Sequence, residues 1–319
     1  MKKNDIIKYS IFALVGILVG YFIFRNFSFQ EFKVDLKKAN VWFVLLSVSV
    51  GVFAVLIRAL RWQIVMEPLG YNTKLGNSYH SIMTGYLVNL GIPRSGEITR
   101  CALMSKSENI PLNVLIGTVL SERILDLIML VIVITGSVIL QFDLLYNYIN
   151  ENVLLKLKGN EWILYTVLIV MVLGLIFLFK SNSMLKGEGK LMKMFKGFVD
   201  GVKSIFTIKK PVLYIFYTVL IWFCYWMMTY TLILAFDFTQ PIGLAGSLAI
   251  LVFSSLGVII PAPAGGATIG TVQVGLNQLF KLAETQAKSF AIVMFTSNII
   301  MIIFAGTISY IIMAKRVKT

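Results

Sequence analysis

Six charged residues stand where an apolar chain has least reason to keep them. Arg94, Glu97 and Arg100 straddle a Pro/Gly break, Leu90-Gly91-Ile92-Pro93-Arg94-Ser95-Gly96-Glu97. Glu122, Arg123 and Asp126 interrupt an apolar stretch between the uncharged runs 109–121 and 127–142. If the chain resumes as a helix after Gly96, Glu97 and Arg100 are three apart and meet on its surface. In the next helix Glu122 and Asp126 are four apart and Arg123 and Asp126 three apart, so all three can face one side. Charges at membrane depth cost at least about 2.5–3.5 kcal/mol each unless paired or hydrated, which sends them toward the protein interior or a wet cavity. Arg58 and Arg61 share one face of the preceding apolar helix, beside Trp62. Guanidinium forks match phosphate geometry. The chemistry on offer is therefore binding of an anionic head group by Arg94, Arg100 and Arg123. Glu97, Glu122 and Asp126 are counter-charges able to take a cationic head group. The alternative is an internal salt-bridge network that pins the chain and, for Arg58 and Arg61, snorkelling from a helix end.

Other chemistries find little support. Cys101 and Cys224 lie far apart and match no metal or redox spacing, so they read as free thiols. His80 is the single histidine and has no companion ligand for metal or general-base work. No metal or cofactor is expected. The net charge of +14 could suggest nucleic acid, but the lysines sit in loops between hydrophobic spans, where anionic lipid explains them better.

The elements that position these residues follow from hydropathy. Of 319 residues 58% are hydrophobic and 14% charged, with a mean hydropathy of +0.83. Soluble domains carry about 25% charged residues, and about 20 apolar residues cross a bilayer. The pattern predicts an all-α, polytopic membrane protein with six spanning helices, 7–24, 41–66, 112–140, 162–180, 211–236 and 289–314. The first follows Lys2, Lys3 and Lys8, and with no cleavage site after it reads as a retained helix. Two apolar segments, 78–104 and 245–280, are broken by Pro and Gly, the second at Ile260-Pro261-Ala262-Pro263-Ala264-Gly265-Gly266. Such breaks do not fit a helix interior and are tolerated at membrane depth only where buried or lining a cavity. Both read as re-entrant hairpins, shaped by Pro93, Gly96, Pro261, Pro263, Gly265 and Gly266. Two independently kinked helices, with 238–280 crossing twice, are the alternative.

Eight lysines between Lys180 and Lys210, against Glu188 and Asp200, put that segment and both termini in the cytoplasm of an inner, plasma-type membrane. Within it, Met192, Phe195, Val199 and Val202 oppose Lys193, Lys196 and Lys203, so 181–210 reads as a basic amphipathic linker or a solvated loop. One transmembrane domain, 1–319, then divides into half-repeats 1–140 and 162–319 with the same plan in opposite orientation, and paired broken segments in inverted halves point to a transporter's binding site. The second break carries no ionisable side chain. Its polar content is Thr268, Thr271, Gln273 and Asn277, with Ser297 and Asn298 in the last helix, so the outer half of the site should be neutral.

Three blocks, Arg58-Ala59-Leu60-Arg61-Trp62, Pro93-Arg94-Ser95-Gly96-Glu97-Ile98-Thr99-Arg100 and Glu122-Arg123-Ile124-Leu125-Asp126-Leu127, resemble in order and spacing the lysylphosphatidylglycerol synthase transmembrane family. This is the flippase-like domain also found in the multiple peptide resistance factor. The family pattern follows the second break with Gly and an acidic residue, whereas here none appears before Glu284. The resemblance implies a domain that moves or presents an aminoacylated or otherwise modified phospholipid. With only five residues after Ala314, the expectation is a short form without the soluble transferase domain and without its lysyltransferase activity. The rivals are a membrane-embedded transferase and a non-transporting partner that anchors a separate lipid-modifying enzyme. The sequence leaves oligomeric state open.

Overall fold

The computed structural model describes residues 28–92, 94–142, 144, 146, 162, 208–259 and 266–318. The expected spans 7–24 and 162–180, the linker up to residue 207, and Pro93, Pro261, Pro263 and Gly265 lie outside the described residues. Those described form nine α-helices and no strand. They are α1 (Phe29–Lys38), α2 (Val41–Met66), α3 (Leu75–Gly91), α4 (Gly96–Glu108), α5 (Leu112–Leu140), α6 (Pro211–Leu234), α7 (Gly243–Ile259), α8 (Gly266–Phe280) and α9 (Glu284–Lys318). Five stretches are long and apolar enough to cross a membrane: α2, α5, α6 and α9, and the segment Gln240–Ile259 that contains α7.

Polar contacts sort the helix ends into two groups. Glu67, just after α2, meets Lys210, just before α6, at 3.0 Å, while at the opposite end the Asn40 amide donates to the Ala235 carbonyl at 2.8 Å. Thus α2 and α6 run antiparallel along each other. The first hairpin begins and ends at the Glu67 end, where Glu108 Oε1 accepts from Asn77 Nδ2 at 2.7 Å and the Lys74 amide at 3.0 Å. Arg316, at the end of α9, joins the cluster through Asn77. The second hairpin belongs to the other end, where Gly246 at the start of α7 faces the Phe280 ring at the end of α8. Across the halves, α9 packs on α3 and α5 packs on α7.

Each hairpin closes on small residues, because only these let two helix backbones approach. A Cβ on Gly85 would lie 2.6 Å from the Gly96 carbonyl oxygen, and one on Gly96 would strike the Gly85 carbonyl. In the second hairpin a Cβ on Gly257 would sit 2.5 Å from Thr268 Cα. Gly96 thus stands at the close contact, and its amide is capped by Asn89 Oδ1 at 2.7 Å. Gly266 begins α8 and is buried.

Several boundaries and one element differ from expectation, the last helix running on to Lys318 rather than 314. The last helix starts at Glu284 rather than 289, since an acidic residue suits a helix N-terminus. The helix expected over 211–236 ends at Leu234, where the Ala235 carbonyl takes the Asn40 amide. Helix α1 was not anticipated. Its signature, Ser28 three residues before Glu31, is a capping pattern, and Ser28 Oγ accepts from the Glu31 amide. Phe32 attaches this short helix to the core around Phe236, Phe290 and Leu276.

Candidate functional site

The charged residues of α2, α4 and α5 converge beneath α6. Helix α6 covers the face of α2 that carries Arg58 and Arg61, which are 6% and 0% exposed. Helix α4, locked against α3 at Gly85 and Gly96, turns Arg100 inward. Helix α5 supplies Glu122, fully buried, and Asp126. Arg100 Nη2 reaches Glu122 Oε2 at 2.7 Å, and Arg61 Nη1 reaches Asp126 Oδ1 at 2.7 Å. Arg58 lies between the two carboxylates, 3.6 Å from Glu122 and 3.9 Å from Asp126.

Each buried guanidinium also has an aromatic ring. Arg100 sits 4.8 Å from the Trp62 ring centre, Arg58 5.9 Å from Tyr86 and Arg61 6.0 Å from Tyr214. Desolvated cation–π contacts of this kind are worth about 2 kcal/mol. Trp62 is itself fixed by its indole N–H donating to Thr118 Oγ1 at 2.8 Å. Arg58 Nη1 donates to Tyr86 Oη at 3.0 Å, and Arg61 Nη1 to Thr218 Oγ1 at 3.3 Å. Arg58 Nε, Arg61 Nε and Arg100 Nη1 are buried and find no hydrogen-bond partner among the described residues.

The partners are not the ones that neighbouring sequence suggests. Glu97 does not take Arg100. It pairs with Arg123 of α5, while Arg100 goes to Glu122. Although three apart on α4, Arg100 is buried at the bundle centre and Glu97 stays at its rim, so each takes the α5 partner nearest to it. Arg123 also stands 3.9 Å from Asp126, and both Arg123 and Glu97 stay partly exposed, at 44% and 39% of their side chains. Arg58 and Arg61 do not snorkel, because α6 closes over them. Arg94 stands apart: it holds the hairpin tip with φ 64°, is exposed, and makes no ion pair among the described residues.

Sequence reading undervalued Tyr86, Tyr214 and Thr218. Their helical register could have suggested them only once α2, α3 and α6 were known to meet. Among the described residues of 208–318 the one buried charge is Lys288, 3.6 Å from Glu284. A small cavity between α2, α6 and α9 is lined by Ser47, Ser297, Asn298 and three methionines, Met228, Met294 and Met301. Ser297 and Asn298 thus line an uncharged, mostly apolar space, while Gln273 Nε2 bonds Glu284 at 3.4 Å. His80 Nδ1 lies 3.0 Å from Ser309 Oγ, which joins α3 to α9.

The family model of the lysylphosphatidylglycerol synthase TM region matches residues 6–306. The chain belongs to this family. A relative in the archaeon Methanocaldococcus jannaschii, the UPF0104 membrane protein MJ1595, is 27% identical over 129 residues, which is 40% of this chain and 38% of that protein. The match therefore spans well under two thirds of the relative's length. No solved structure matches the chain. Membership in the lysylphosphatidylglycerol synthase TM family, together with the apolar helices, identifies a multi-pass helical membrane protein of a family associated with lipid handling.

Proposed function

We propose that this protein is a phospholipid flippase or lipid-transport protein that holds the lipid phosphate at the buried arginine cluster. The observation that carries this reading is a charge imbalance. Three buried guanidiniums, Arg58, Arg61 and Arg100, face two carboxylates, Glu122 and Asp126. Arg61 and Arg100 each own a carboxylate at 2.7 Å, and Arg58 has none closer than 3.6 Å. A buried charge is stable only when compensated. One surplus positive charge is what a phosphodiester neutralises, and planar guanidinium donors suit its oxygens. In this reading Arg58 contacts the phosphate, Arg61 and Arg100 complete the cradle, and Tyr86 orients Arg58.

The two hairpins begin at opposite ends of the bundle, close on small residues, and each packs on the last helix of the other half. That supports half-repeats of inverted orientation with the hairpins re-entrant, an arrangement that serves alternating access. The lysine asymmetry supports a cytoplasmic location for the end carrying Lys74, Lys106 and Lys210, and an inner-membrane setting for the whole. Aminoacyl head groups fit the same site if Glu97 takes their ammonium.

The test is reconstitution into phosphatidylglycerol-containing liposomes with a nitrobenzoxadiazole-tagged phosphatidylglycerol, followed by dithionite quenching from outside. Wild-type protein should expose inner-leaflet probe, and Arg58→Gln, which neutralises the cluster without orphaning a carboxylate, should stay folded and slow exposure at least tenfold. Unchanged movement in Arg58→Gln would remove the phosphate role from this cluster.

A further inference from the structure

The Glu97–Arg123 ion pair occupies an unusual place. At about 1.5 Å per residue, Glu97 lies about 16 Å along α4 from Glu108, and Arg123 about 16 Å along α5 from Leu112. Helix α4 ends and α5 starts at the same end of the bundle, so the pair sits roughly halfway across a hydrocarbon core of about 30 Å. At that depth it is partly exposed on the outer surface. Its neighbours along the seam are exposed isoleucines and leucine: Ile98 is 63%, Ile116 48% and Leu127 55% exposed.

Charged groups beside lipid-facing apolar residues are costly at mid-membrane, and a structural ion pair would be cheaper buried. The pair is also joined to the interior, because Arg123 lies 3.9 Å from Asp126, which pairs with Arg61. Arg123 thus links an outward-facing carboxylate to the buried arginine cluster.

We propose that the seam between α4 and α5 is the lateral entrance by which a phospholipid head group reaches the buried cluster, with Glu97–Arg123 as its gate. The acyl chains stay in the bilayer against Ile98, Ile116 and Leu127. The phosphate displaces Glu97 from Arg123, and Arg123 then hands it toward Arg58. The step exchanges one anion for another on the same guanidinium, so Arg123 stays paired while the Glu97 carboxylate is released, and Glu97 returns to Arg123 once the phosphate has moved on to Arg58. This gate rests on the proposed lipid-binding reading and adds the route.

The experiment uses full-length protein in liposomes of phosphatidylcholine with phosphatidylglycerol carrying a diazirine on its head group, with label positions mapped by peptide mass spectrometry. Wild-type protein should be labelled on α4 and α5 around Glu97 and Ile116, at mid-membrane depth. Arg123→Gln should lower that labelling at least fivefold, and Glu97→Gln, which frees Arg123, should raise it. The charge swap Glu97→Arg with Arg123→Glu keeps an ion pair, so a merely structural pair would be rescued in both melting temperature and labelling. The gate predicts a rescued melting temperature with labelling still low. Labelling confined to the two membrane interfaces, or seam labelling that ignores Arg123→Gln, overturns the proposal. Dithionite-detected lipid movement without seam labelling sinks the gate alone, whereas seam labelling without lipid movement sinks the transport reading.

Discussion

Glu122→Gln separates a charge network that carries stability from one that merely decorates a helix. Glu122 is fully buried, with one oxygen 2.7 Å from Arg100 and 3.6 Å from Arg58. The substitution leaves three buried guanidiniums facing Asp126 alone. Breaking a buried pair by removing one partner costs about 3–5 kcal/mol, because the remaining charge stays desolvated. Glu97→Gln breaks a half-exposed pair and leaves Arg123 with Asp126 at 3.9 Å, so it should cost less than Glu122→Gln, by at least about 1.4 kcal/mol, or tenfold in the unfolding equilibrium. The double variant Glu122→Gln with Arg100→Gln restores the surplus to one charge and should recover about 0.5–3 kcal/mol relative to additive losses. The assay is unfolding by sodium dodecyl sulfate in mixed micelles followed by tryptophan fluorescence, to which Trp62, stacked on Arg100, contributes. A Glu122→Gln loss below about 1 kcal/mol, or a Glu97→Gln loss as large as that of Glu122→Gln, would refute the view that the buried arginines depend on Glu122.

The hairpin contact predicts that Gly96→Ala, whose methyl strikes the Gly85 carbonyl, costs about 1–3 kcal/mol by overpacking in the same unfolding assay. Gly117→Ala meets nothing and should be neutral or stabilising by up to about 1 kcal/mol. Cysteines placed at Lys209 and Lys315 should react with an impermeant maleimide from one side of sealed vesicles, and those at Asp237 and Lys281 from the other. Reaction of all four from one side would contradict the antiparallel course of α2, α6 and α9.

Much was legible in the sequence because membranes impose a simple rule. Uncharged runs of about 20 residues had to become helices, as α2 and α6 did, because backbone groups in lipid must bond within their own segment. Gly96 could be picked out for the same reason: breakers in an apolar segment need a structural purpose, and Gly85–Gly96 contact supplies it. Arg58, Arg61, Arg100, Glu122 and Asp126 were visible as charges too deep to stand alone. Who pairs with whom was not visible. Spacing along α4 offered Glu97 to Arg100, whereas the packing of α5 against α4 gave Arg100 to Glu122 and left Glu97 with Arg123. Arg58 and Arg61 were indistinguishable from snorkelling side chains until α6 lay over them, and Tyr86, Tyr214 and Thr218 joined the site only because α3 and α6 met α2. Sequence determines that a buried charge needs a partner, since the penalty belongs to the residue itself. The partner's identity depends on distances of a few ångströms between helices remote in the chain, and only tertiary packing decides those.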